Sequence, residues 1–205
     1  MSPRPFLLAI SAVAVFAACS GDNAPPSRPV VAEKAAPLTC PNNKTIYAQS
    51  QKLTATPVTS GSLLRAVVME GEWAMGGDSY AYVGGSRPGA AFTYLRSGTV
   101  WSQTQRLTGP KSSNYWFASA LDFEGEYAIV GAPNEVSMGN KKGGGGAYAY
   151  VRSGTVWSQT QHFYHSGVKA GDSLGGSVSI SGTWAAIGTH HDDPRANASG
   201  AVQMF

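Results

Sequence analysis

The sequence predicts an all-β chain in which small antiparallel sheets follow one another in tandem, about three repeat units of four strands each. Three observations carry that expectation. The phrase Arg96-Ser-Gly-Thr-Val-Trp-Ser-Gln-Thr-Gln105 recurs letter for letter at 152–161, a shift of 56 residues, and a worn copy, Tyr47-Ala-Gln-Ser-Gln-Lys-Leu-Thr54, matches Trp101 to Thr108 at a shift of 54. Repetition at such a spacing marks an array of supersecondary units. The composition agrees: 42% apolar residues and 13% charged ones make the chain too apolar to stay disordered, and 25 glycines suit short strands joined by tight turns. Several strands carry apolar residues on both faces, so each sheet is covered on both sides, as blades of a β-propeller are. A two-sheet sandwich also covers its strands but does not predict a repeated unit of this length.

At the N-terminus, Arg4 precedes an apolar run over 6–16, and Ala17-Ala18 lead into Cys19. A charged start, a short apolar core and small residues describe an export signal over 1–18, too short to span a membrane stably. The stretch Phe16-Ala17-Ala18-Cys19 resembles the bacterial lipobox, with Phe16 where that motif usually has Leu. The resemblance implies a lipid on Cys19, and Ser20 in place of Asp implies the outer membrane or cell surface. An ordinary cleaved signal with Cys19 incidental is the alternative. With Cys19 acylated, Cys40 stands alone; with Cys19 free, the two can bridge in an oxidising envelope. Residues 19–44 hold Pro25, Pro26, Pro29, Pro37 and Pro41 and read as an extended tether. The body is expected over 45–205.

Set under one another, the repeats give four strands each. The first is 66–69, 120–123 and 177–180, where Val67/Met69, Leu121/Phe123 and Val178/Ile180 share a face by the alternation of a strand. A turn follows with Glu70-Gly71, Glu124-Gly125 or Ser181-Gly182; Gly is expected at the second central position of a two-residue primed turn, where φ is positive. The second strand is 73–77, 127–131 and 184–188, each opening on Trp or Tyr and closing on a Gly that suits a crowded backbone approach. The third is 91–95, 147–151 and 201–205, with Ala91, Ala147 and Ala201 aligned. Ser97-Gly98 and Ser153-Gly154 turn it into the fourth, 100–107 and 156–163.

These units resemble FG-GAP repeats, the blades of integrin alpha-subunit propellers and of many bacterial surface proteins. Gly131-Ala132-Pro133 is a complete GAP, whereas Gly188-Thr189-His190 and Gly77-Asp78-Ser79 keep only the Gly; the FG positions read Phe117-Ala118, Leu174-Gly175 and Leu63-Leu64. The resemblance covers roughly 45–205 and does not identify a ligand. The integrin calcium loop does not carry over, because the interval 118–130 offers only Asp122, Glu124 and Glu126 beside a tight turn, and a hard cation wants six to eight oxygens. The sequence opens on a fourth strand without its third and closes on a third strand without its fourth. Three blades are too few to surround an axis. Either further blades belong to a longer protein, or two chains exchange terminal strands head to tail in a homo-oligomer.

A net charge of +3 with no basic stripe argues against nucleic acid. Gly171-Asp172-Ser173-Leu174-Gly175 has the letters of a Gly-x-Ser-x-Gly elbow but lies in an inter-blade loop, and no clustered acid–base pair is visible, so no enzyme activity and no cofactor are expected. His190, His191, Asp192 and Asp193 follow one another in a loop and carry ligand types suited to a transition ion; a solvated loop is the plainer account, and no metal is expected. Trp73, Trp101, Trp157 and Trp184 fall at repeat positions, as packing residues do, while Trp116 lies outside the pattern and is the first surface aromatic to consider for a ligand. Together these features predict a lipid-anchored recognition or adhesion module that presents loops 78–88, 134–144 and 190–199 to a protein or glycan. The rival class is an envelope enzyme on the same scaffold, and a third reading is a fragment with no function alone.

Overall fold

The computed structural model describes residues 38–39, 45–46, 50–57, 64–109, 115–136, 143–164, 167–191 and 199–205. Two compact units divide the chain, residues 1–50 and 51–205. In the first, β1 (Leu38–Thr39) pairs antiparallel with β2 (Thr45–Ile46). Cys19 lies outside the described residues.

The second unit is all-β: three antiparallel sheets, with no helix among the described residues. Sheet one runs β3 (Ala66–Glu70), β4 (Trp73–Asp78), β5 (Ala90–Ser97), β6 (Val100–Thr108). Sheet two repeats it with β7 (Ala120–Glu124), β8 (Tyr127–Ala132), β9 (Gly146–Ser153), β10 (Val156–Phe163). Sheet three has β11 (Leu174–Ser181), β12 (Trp184–Thr189) and β13 (Ala201–Met204). These are partial propeller blades, as the repeat spacing predicted.

The twin phrases adopt one conformation. Each has a β-bulge at its second Thr: the register slips between Thr93 and Tyr94 opposite β6, and between Gln159 and Gln161 in β10. Thr104 and Thr160 are the extra residues, and a bulge bends the strand locally. The tight turns contain a glycine with φ between 55° and 62° at Gly71, Gly98, Gly125, Gly154 and Gly182. Its place differs from expectation. Glu70 pairs with Trp73, so Gly71 is the first loop residue rather than the second, and Glu72 is not left-handed. This is the type II′ pattern, which places Gly first.

Two further differences concern the ends. Residues 50–55 form no strand; Leu53 and Ala55 pack instead on sheet one against Ala74, Phe92 and Tyr94. The Gln51 amide on Trp101 and the packing of Leu53 and Ala55 hold this segment over the face of the sheet rather than at one of its edges. In sheet three, Val202 and not Ala201 lies opposite Gly188, whereas Ala91 and Ala147 lie opposite Gly77 and Gly131. A one-residue slip turns every side chain to the other face. Phe205 therefore reaches Phe163 of sheet two at 4.9 Å between ring centroids, while Val202 and Met204 face outward.

The sheets stack through repeated contacts. Phe117 and Leu174, the residues at the F position of FG, are fully buried, and their strands bridge in parallel to Gly89 and Gly145 of the preceding sheet. A Cβ on Gly77 would overlap the Ala118 carbonyl oxygen, and one on Gly131 the Gly175 carbonyl oxygen. Backbone contact of that kind leaves room only for glycine. The G position of FG is left-handed in both, φ 65° at Ala118 and 90° at Gly175, which explains the glycine in the motif. Glutamine adds a polar clamp. The Gln105 amide donates to the Trp157 carbonyl (2.9 Å) and accepts from the Trp157 N–H (2.7 Å); Gln51 does the same to Trp101, both at 2.8 Å. At the turns, Glu70 accepts from Gly125 N–H (2.7 Å) and Glu124 from Gly182 N–H (2.6 Å).

Candidate loop-end binding surface

Strand direction sorts the connections by length. Every two-residue Gly turn lies at one end of the sheets. The strands joined by the other connections, 79–89, 109–119, 133–145, 164–173 and 190–200, end and restart at the other. An antiparallel blade forces this separation, because alternate connections leave from opposite edges. Loops at one end of a rigid scaffold are where recognition residues concentrate.

Trp116 sits in this surface with 39% of its area exposed and φ at 55°. That region costs a bulky residue about 1–3 kcal/mol and persists only when the surroundings impose it. Here the next residue is pinned: Phe117 N–H donates to the Pro88 carbonyl at 2.9 Å, and Ser119 N–H returns to the Trp116 carbonyl at 3.2 Å. Burying Phe117 thus turns the Trp116 indole outward. Its ring lies 6.2 Å from Tyr80, over which the Arg65 guanidinium sits at 5.3 Å. Tyr82, two residues on, is 44% exposed, with Arg106 donating to its carbonyl at 2.7 Å. Sequence reading singled out Trp116 but missed Tyr80 and Arg65. Tyr80 and Tyr82 stand after the second strand, outside the repeat positions, and that was the available signal.

A second group lies at the same end of sheet two. His162 stacks on Tyr148 at 4.4 Å with planes 6° apart, and its Nε2 lies 3.2 Å from Oε2 of the buried Glu135. Burial, and after it the Glu135 carboxylate, push the Tyr148 hydroxyl well above the usual tyrosine value. Tyr150 and Tyr94 are raised by burial alone. Tyr164, 41% exposed, stands 5.5 Å from His162. An imidazole held by a carboxylate can pass a proton, but among the described residues no hydroxyl or thiol bonds to His162. This cluster was not visible in the sequence, because Glu135 and His162 are 27 residues apart.

His190 and His191 lie exposed at the end of β12, with ring centroids 6.2 Å apart and planes tilted by 42°. The His191 N–H donates to the Asp172 carbonyl at 3.1 Å. Asp192 and Asp193 are outside the described residues. Among those described, no group of three or more metal-ligating side chains converges. Of the repeat tryptophans, Trp157 is buried at 2% exposure, but Trp184 is 62% exposed and does not pack as expected. Among the described residues of 51–205, no sheet lies against the face of sheet three that carries it.

Among the described residues no helix is long and apolar enough to cross a membrane. A family model described as FG-GAP repeat matches residues 157–205, which comprise β10 to β13. No curated protein matches the chain.

Proposed function

From an FG-GAP repeat protein with stacked propeller-type sheets, we propose a recognition or adhesion module that binds a protein or glycan through its loop end. The supporting observation is Trp116, held left-handed and half-exposed beside Tyr80 and Arg65. Backbone strain that projects an aromatic outward suits a binding residue, and aromatic and Arg side chains are enriched at energetic centres of interfaces. Module and ligand meet outside the cell, with a lipid on Cys19 holding the chain to the envelope and residues 19–44 as the tether.

The loop-end reading is tested by probing an array of oligosaccharides and immobilised peptides with labelled protein. Trp116→Ala is expected to lower binding to any ligand found roughly tenfold or more, with circular dichroism unchanged. A ligand bound equally well by Trp116→Ala and by Tyr80→Ala would refute the site. The anchor is tested separately: Cys19→Ser should move the protein from the detergent phase to the aqueous phase.

A further inference from the structure

The two outward faces of the stack are the halves of the contact that the interior uses twice. On sheet one, Val67 and Met69 are 80% and 66% exposed. Their repeat equivalents are buried or half-buried: Leu121 and Phe123 pack toward sheet one, and Val178 and Ile180 toward sheet two. On sheet three, Trp184, Val202 and Met204 are 62%, 65% and 59% exposed around Gly188. Of the Trp184 equivalents, Trp73 is covered by the fourth strand of sheet two, whereas Tyr127, followed by the three-stranded sheet three, is 56% exposed. The ring of Trp73, at the Trp184 position, meets Trp157 edge-on at 6.1 Å and lies under the Arg152 guanidinium at 4.4 Å. Gly77 and Gly131, at the Gly188 position, take a backbone carbonyl of the following sheet. Beside Gly188 there is instead an open cleft of about 340 Å³ reaching His190 and Val202.

We propose that a second copy of this chain docks head to tail, its sheet one seating on the open face of sheet three. Val67 and Met69 of the second copy take the places that Leu121 and Phe123 hold inside, and its Trp101 and Arg96 cover Trp184 as Trp157 and Arg152 cover Trp73. The strand inventory supports this occupant. Among the described residues, no strand pairs with the outer edge of β13, and the segment 51–55 rides on sheet one with no ladder of its own. Because Gln51 grips Trp101 as Gln105 of β6 grips Trp157, this segment already lies where a preceding sheet's fourth strand belongs. Brought against β13, it completes that sheet. Gln161, the third glutamine of the series, is exposed, and its amide has no partner among the described residues. The contact is heterologous and can close; two copies give six sheets, within the usual range of about 4–8 for a propeller.

Sedimentation velocity on the 1–205 chain tests this, with Val67→Asp (head) and Val202→Asp (tail) as variants at exposed positions that leave the protomer's circular dichroism unchanged. The expected result is a wild-type dimer and roughly 100-fold or more weaker association for each variant alone. An equimolar mixture of the two variants should dimerise again, because each retains the half that the other lacks. A wild-type monomer at micromolar concentration overturns the proposal and means that the face takes a blade not supplied by this chain. Variants that still dimerise, or a mixture that stays monomeric, overturn it as well.

Discussion

The interface between sheets one and two and that between sheets two and three use the same backbone contacts and different side chains. In the first, Phe123 and Trp157 meet at 6.0 Å and Phe117 and Tyr148 at 5.6 Å, so aromatic rings fill the space. In the second, the aliphatic Ile129, Val168, Leu174 and Ile187 take most of the space, with the Phe163–Phe205 ring pair beside them at 4.9 Å. Common to both are the glycine that meets a carbonyl, the buried residue at the F position, and the Glu that caps the next turn. Their polar additions differ. The first has the Gln105 clamp; in the second, Asp122 accepts from Ser179 Oγ at 3.0 Å and from Ile180 N–H at 2.9 Å. Few positions are therefore obligatory, and a repeat can drift far in sequence while its sheets still stack.

The largest expected effect comes from emptying the matched core positions. Phe117→Ala is expected to cost about 3–5 kcal/mol and Leu174→Ala about 2–5 kcal/mol in urea unfolding, since both side chains are fully buried. A cost near that of a surface substitution at either one would break the equivalence of the two interfaces.

Alkali separates them next. Tyr148 and Tyr150 belong to the first interface and hold their protons above the ordinary tyrosine value. The unfolded chain releases them near pH 10, so above that pH the folded state binds more protons and stability falls as pH rises. Below about pH 10 the contribution is fully present. Equilibrium unfolding between about pH 8 and 12 should show the decline, and Tyr150→Phe should flatten it. A wild-type profile with no decline contradicts the buried hydroxyls.

The smallest effect concerns the clamp. Gln105→Ala leaves the Trp157 N–H and carbonyl without their partners, at about 1–3 kcal/mol. Hydrogen exchange should quicken at Trp157 and stay unchanged at Trp101, which Gln51 holds.

Much of this was legible before folding. The repeated phrase located β6 and β10, and alternation assigned Leu121/Phe123 and Val178/Ile180 to one face. What escaped was whatever depends on a neighbour in space. Ala201 aligned with Ala147 by letter, yet pairing placed it opposite Thr189, because one residue of register is invisible in a run as short as Ala-Val-Gln-Met. Trp184 looked like Trp73, yet among the described residues no fourth strand of a following sheet covers it, as none covers Tyr127. At the candidate site, Trp116 stood out because it broke the repeat, whereas Glu135 and His162 meet only after β8, β9 and β10 have paired. The Gln clamps were hidden inside the very phrase that announced the repeat, since nothing in the letters says that its tenth residue grips the Trp of the following sheet.

The central claim, that each sheet is fixed by backbone contact with the next, is tested most directly by calorimetry of Gly131→Ala against Gly188→Ala. Both are made in the Val67→Asp chain, so that association between copies plays no part. A Cβ on Gly131 meets the Gly175 carbonyl, which has to move with the whole of sheet three; a Cβ on Gly188 meets only the Ser177 hydroxyl, which can rotate away. The account predicts a loss of about 3 kcal/mol for the first and under about 1 kcal/mol for the second. Equal losses at the two positions would contradict it.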